Sequence, residues 1–125
     1  MSFKKLSVAL VAAVITGALI MASMAGARAA ADTGVTIKGE NGDFHGKVLS
    51  EKAKCTGDRK VVVYKQKGRH QEPSTDKKIA SDISERHGDH GDWNVGNTGY
   101  KKGKFYAKAK KSPGCAKGFS KTIKL

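Results

Sequence analysis

Apolar residues in this chain fall into short alternating clusters, except for one long run near the start. That run extends from Leu6 to Ala25 and is broken only by Ser7, Thr16, Gly17 and Ser23. Beyond it, helical periodicity is almost absent and the pattern predicts seven short strands. Residues 33–39 (TGVTIKG) alternate Val35 and Ile37 with polar neighbours, and residues 43–50 (DFHGKVLS) bring Phe44, Val48 and Leu49. Residues 59–66 (RKVVVYKQ) place three valines and Tyr64 in a row, the signature of a central strand buried on both faces. Residues 77–83 (KKIASDI) and 91–96 (GDWNVG) follow, the latter with the single tryptophan, Trp93. Residues 103–110 (GKFYAKAK) alternate Phe105, Ala107 and Ala109 with Tyr106, Lys108 and Lys110, and FSKTIKL (119–125) is the seventh strand.

The stretches between these strands are polar and rich in turn formers, as in GENGD, GRHQEPSTDKK and KKSPGCAKG. Gly68–Lys78 is the longest of them and reads as a mobile loop. Seven strands with turns between them predict one all-β domain, a β-sandwich. No internal repeat or low-complexity tract interrupts it.

The opening run changes the picture by giving the domain an address. Lys4 and Lys5 precede it and Ala27, Ala29, Ala30 and Ala31 follow, which is the three-part grammar of a secretory signal peptide. Cuts after Ala29 and after Ala31 both satisfy the small-x-small rule, and residues 1–31 are assigned to the signal peptide with the sandwich over 32–125. An uncleaved anchor is the rival reading, since about 20 apolar residues can span a bilayer. Cleavage predicts a secreted or cell-envelope-associated protein with no membrane span. The only two cysteines, Cys55 and Cys115, lie in the exported part, where an even count reads as a disulfide. A domain this small needs such a staple.

Charge adds a second signal. The whole chain carries a formal net charge of +13, and removal of Lys4, Lys5 and Arg28 with the leader leaves 21 basic residues against 11 acidic ones. On a strand, Lys104, Lys108 and Lys110 share the side of Tyr106, and pairing of the last two strands brings Lys121 to the same face. This predicts a basic face for an anionic envelope polysaccharide or another polyanion, with Tyr106 and Tyr100 available for stacking. No motif points to a specific nucleic acid. The plainer reading is that the charge only keeps an exported monomer soluble.

The string FHGKVLS…RKVVVYKQKG…IASDIS…GDHGDWNVGNTGYKKGKFYAKA resembles the carboxypeptidase regulatory-like, or prealbumin-like, β-sandwich domains. The matching positions are Gly46, Val48 and Ser50; Val61 to Tyr64; and Gly103, Phe105 and Ala107, with Asp89, Gly91 and Trp93 reading D-x-G-x-W, one residue shorter than the family's turn. The WNVGNTG string and paired cysteines are also similar to small secreted bacterial sandwich proteins of unassigned function. The resemblance implies a seven-stranded prealbumin-like sandwich, in which Asp89 caps a turn, Gly91 takes a positive φ and Trp93 enters the core. Asn97 and Thr98 are read as part of a tight loop, with ligand binding as the alternative.

Enzyme chemistry finds little footing. The last five residues, Lys121-Thr122-Ile123-Lys124-Leu125, lack the Tyr-Arg-Gly-Ser tetrapeptide of transthyretin-related hydroxyisourate hydrolases. Neither a Gly-x-Ser-x-Gly elbow, a Walker loop nor an HExxH motif is present, and no cofactor is implied. The remaining candidate is ERHGDHGDW, where His87, Asp89, His90 and Asp92 gather two imidazoles and two carboxylates inside six residues. Such donors suit Zn²⁺ or Cu²⁺, which makes metal binding the alternative function. The glycines beside them fit a solvated hairpin turn equally well.

Overall fold

The structure is a computed structural model that describes residues 29–125. The expected signal peptide therefore lies outside the described residues except for Ala29, Ala30 and Ala31. Ten strand segments follow in chain order: β1 (Gly34–Val35), β2 (Lys38–Glu40), β3 (Asp43–Leu49), β4 (Lys60–Gln66) and β5 (Lys77–Ile83). They continue as β6 (Glu85–His87), β7 (His90–Val95), β8 (Lys104–Ala109), β9 (Gly118–Phe119) and β10 (Ile123–Lys124). Among the described residues, one 3₁₀ turn, Ala53–Cys55, sits between β3 and β4.

The segments form two antiparallel sheets. Sheet one has the order β1-β3-β7-β6, with β2 also on β3; sheet two has the order β9-β8-β4-β5, with β10 also on β8. The seven expected strands are all present, two of them broken into two segments each, and β6 is a further strand that the sequence pattern did not predict. The first run is split between β1 and β2 at Thr36, whose hydroxyl replaces a strand partner for the Lys47 N–H at 2.7 Å. The last is split between β9 and β10. The chain passes from β5 in sheet two to β6 in sheet one at Ser84, where Ser84 N donates to Arg59 O (2.8 Å) and its hydroxyl donates to Thr56 O (2.7 Å). With the seven expected strands lettered A to G, and β6 counted with β5 as D, the sheets read A-B-E-D and D-C-F-G, a Greek-key order.

Alternation explains the core. Phe44 and Val48 of β3 and Trp93 and Val95 of β7 face Val61 and Val63 of β4 and Phe105, Ala107 and Ala109 of β8. The Phe44 and Phe105 rings meet across the two sheets at 4.8 Å. Gly46 has a steric reason, since a Cβ there would sit 1.9 Å from Thr36 O and 2.9 Å from Trp93 Nε1. Gly91 is needed for the same kind of approach, 1.8 Å from Thr56 O, and the positive φ of this hairpin belongs to Gly88 instead.

One end of the sandwich is stapled. Cys55 and Cys115 form a disulfide across a separation of 60 residues, with Cα atoms 5.6 Å apart. Closing a loop of that length stabilises the fold by about 4 kcal/mol in the chain-entropy model. Beside it, the guanidinium of Arg59 is buried at 1 % exposure without a carboxylate partner. Nε and Nη2 donate to Lys110 O, Nη2 also to Ala116 O, and Nη1 to Cys55 O and the Thr33 hydroxyl, all within 3.2 Å. Every donor of the fork has an oxygen acceptor, which is what makes a buried cation tolerable. Burial pushes its pKa below the ordinary value.

Ala31 belongs to this end as well. It donates its N–H to Gly114 O (3.0 Å) and accepts from Ala116 N–H (2.8 Å). The sequence reading had left it on the signal-peptide side of the boundary, but its backbone is part of the fold.

Candidate polyanion-binding face

Sheet two exposes the side chains that alternate away from the core, and these are largely lysines. Lys108 pairs across to Val62 of β4 and Phe119 of β9, Lys104 pairs with Lys124, and Lys110 donates its N–H to Lys60 O at 2.9 Å. Lys78 is opposite Tyr64 on the far side of β4. Lys110 and Lys121 are exposed, whereas Lys104 and Lys108 are half-buried. The Lys104 ammonium donates to Gly68 O at 2.6 Å, and that of Lys108 lies 5.6 Å from the centroid of the Phe119 ring.

Tyr106 shares this face as alternation requires, yet it is not available to a ligand. Its ring is stacked on Tyr64 at 5.1 Å and fully buried, with Val62 completing a small cluster on the outer side of the sheet. Its hydroxyl donates to Asp76 Oδ2 at 2.5 Å. Asp76 in turn accepts from the N–H groups of Lys67 (3.0 Å) and Glu72 (2.8 Å), and so pins the segment between β4 and β5 over the tyrosines. The stretch that read as the longest mobile loop is thus tied to the sheet, and the stacking role assigned to Tyr106 is corrected to a structural one. Tyr100, the other aromatic named for stacking, is half-buried beneath the ammonium groups of Lys65 (5.7 Å) and Lys77 (5.4 Å).

The titration behaviour of the face follows from this geometry. Burial pushes the Asp76 carboxyl up, but the Tyr106 hydroxyl, the two N–H groups and the charge of Lys67 outweigh it and hold the carboxyl below its ordinary range. Tyr106 is driven above its usual value by burial and then by Asp76, and Tyr64 moves the same way for the same reasons. Lys108 is held below the ordinary ammonium range by burial first, then by Lys117, Lys110 and Lys78. These cations repel one another without compensation. Among the described residues, the only lysine or arginine ion-paired to a carboxylate is Lys47, and it lies on the other sheet.

The outer face of sheet one carries the second candidate. Asp92 is its centre: His87 Nδ1 lies 2.7 Å from Oδ2, while His90 Nε2 (3.4 Å) and Lys47 Nζ (3.7 Å) approach Oδ1. His90 Nδ1 lies 3.1 Å from Asp89 Oδ1, and that contact holds the exposed Asp89 carboxyl below its ordinary range. His87 and His90 are directly opposed in the β6–β7 hairpin, whose turn is Gly88 and Asp89. The imidazoles are thus brought together, but around a carboxylate and an ammonium. Among the described residues, no group of three or more His, Cys, Asp or Glu is disposed to hold a metal ion.

The other sequence candidates have structural neighbours. Asn97 takes a positive φ of 55° and donates its N–H to Asp43 Oδ1 (2.5 Å), and the Thr98 hydroxyl donates to Gly42 O (2.6 Å). His45 and His70 are exposed. Sequence reasoning missed Arg59, Asp76, Lys60 and Lys78. The first two gave no local signal, whereas the two lysines were visible as charge and lacked only the register that brings them to this face.

A scan of protein-family models finds none that matches the chain, and a comparison with curated proteins finds no significant match. Among the described residues, no helix is long and apolar enough to cross a membrane.

Proposed function

We propose that the chain is an exported, non-enzymatic, monomeric β-sandwich module, structural or adhesive in role, that binds anionic envelope polymers through the outer face of sheet two. The observation that carries this reading is that Lys108, Lys110 and Lys117 line one recess of this face and Lys60, Lys78 and Lys110 line another, none of them ion-paired to a carboxylate among the described residues. Such a cluster is relieved by an external anion, whose arrival releases counterions and lowers the mutual repulsion. Charge-driven contact of this kind gives affinities on the order of 10⁻⁴ to 10⁻⁶ M at physiological salt, the range of non-specific binding to duplex DNA. A weak, multivalent association suits a protein that meets a polymer rather than a small ligand.

The test is a pair of isotherms for the oxidised exported protein, against an acidic polysaccharide and against duplex DNA, at low and physiological salt. Binding to the polysaccharide that persists at about 0.15 M salt supports the reading. Binding that vanishes there for both polymers reduces the lysines to a solubility feature.

A further inference from the structure

The end of the sandwich that carries the disulfide also contains a recess of about 480 Å³. Lys108, Lys110, Lys111 and Lys117 line it together with Ser112 and Ala30. No acidic side chain contributes to its walls. Ala30 is there because Ala31 is tied by two backbone hydrogen bonds to Gly114 and Ala116, next to Cys115. Those bonds also bear on where a leader can be removed. A cut after Ala31 deletes the residue that makes both bonds, whereas a cut after Ala29 preserves them and leaves Ala30 as the first residue.

We propose that signal-peptide removal after Ala29 puts the new α-amino group of Ala30 into this recess, where it joins Lys108, Lys110, Lys111 and Lys117 to form a site for a phosphate-type oxyanion. The chemistry is hydrolysis of the Ala29–Ala30 peptide bond by a signal peptidase, with water supplying the hydroxyl of the Ala29 carboxylate and a proton of the Ala30 amine. Before the cut, that nitrogen is an uncharged amide. Afterwards it is a cation with a reference pKa of about 7.7–8.0. Its neighbours are cations that share the recess, and burial, then the charges of Lys117 and Lys110 beside it, hold the Lys108 ammonium below its ordinary range. A compact dianionic group is the partner that neutralises several cations at one point, which a singly charged carboxylate does less well. The site is thus made by processing. It rests on the export reading and deepens it, by assigning the strongest anchor on the basic face to one place.

The experiment begins with the intact mass of the protein recovered after export. A species running from Ala30 to Leu125 with the disulfide formed is expected, and a first residue at Asp32 or an uncleaved chain overturns the proposal. That same protein is then titrated with inorganic phosphate at constant ionic strength, before and after selective acetylation of the α-amine at about pH 6.5, where lysines are shielded by protonation. The proposal expects amide NMR shifts centred on Lys108, Lys110 and Lys117, and an affinity about five-fold weaker after acetylation. Equal affinity of the two forms overturns the site. If the equal-affinity protein still binds acidic polysaccharide at physiological salt, only the recess has failed and the reading of the face stands.

Discussion

The two outer faces of this sandwich are built from overlapping residue types and handle their charge in opposite ways. On sheet one, Asp92 is engaged from three sides, by His87 Nδ1 at 2.7 Å, His90 Nε2 at 3.4 Å and the Lys47 ammonium at 3.7 Å. On sheet two, Lys78, Lys108, Lys110 and Lys117 crowd one another around a patch closed by Val62, Tyr64 and Tyr106, and the one buried carboxylate, Asp76, is taken up by Tyr106. The difference teaches that net charge says little about binding until its pairing is known. A self-neutralised face offers an incoming polymer little net attraction. An uncompensated one carries repulsion that a polyanion removes.

The comparison can be broken first through the scaffold. The basic face leans on the stapled end, because Arg59 holds the carbonyls of Lys110 and Ala116, whereas Asp92 is half-exposed and joins side chains on the outer face of sheet one. Arg59→Met is therefore expected to cost about 3–5 kcal/mol in urea unfolding, since it strands several buried acceptors. Asp92→Asn is expected to cost less than about 1 kcal/mol, as exposed ion pairs do. Similar costs for the two variants would remove the asymmetry. Cys55→Ser, at the same end, is expected to lower stability by about 2–5 kcal/mol.

How much of this was legible beforehand follows from the range of the interactions. The seven expected strands were readable from short apolar clusters, most of them alternating because inward and outward positions on a strand repeat every two residues, and residues 59–66 from an unbroken apolar run. The breaks at Thr36 and between β9 and β10, and the turn at Ser84 into the unpredicted β6, were not, since each depends on a contact from another run. The basic character of the outer face was also readable, and Tyr106 was assigned to the correct side of its strand. Its burial was hidden because the cover comes from Asp76, 30 residues away in sequence. Arg59 looked like any strand-initial arginine, for the four acceptors of its five hydrogen bonds come from four separate parts of the chain.

The pH dependence of stability sharpens the contrast next. Asp76 is depressed in the folded state, so its contribution is fully present above the unfolded value of about 3.9 and is lost as pH falls through the lower folded value. Tyr106 and Tyr64 are raised, so their contribution is fully present below about pH 10 and is lost as pH rises through their folded values. Stability set by the sheet-two cluster is thus expected to hold across the middle range and to fall at both extremes. Asp76→Asn should cost about 1–3 kcal/mol at neutral pH and flatten the acid limb in urea titrations. An unchanged acid limb would show that other carboxylates govern it.

The smallest effect is expected at the histidine hairpin. If Asp92 is already taken up by Lys47 and the two imidazoles, added Zn²⁺ should leave the melting temperature unchanged, and His87→Ala should shift it by no more than a surface substitution does. A stabilisation by Zn²⁺ that disappears in His87→Ala would turn sheet one from a neutralised face into a metal site.

The central claim is that polyanion binding belongs to sheet two alone, and matched charge removal on the two faces tests it most directly. Isotherms against one acidic polysaccharide at about 0.15 M salt would compare the oxidised exported protein with a Lys108→Gln/Lys110→Gln pair and a Lys38→Gln/Lys47→Gln pair. Each pair removes two positive charges, so net charge is held equal. The account predicts about a ten-fold loss, or about 1.4 kcal/mol, for the sheet-two pair, and a change within about two-fold for the sheet-one pair. Equal losses from both pairs would contradict it, and would mean that the polymer senses only the total charge of the domain.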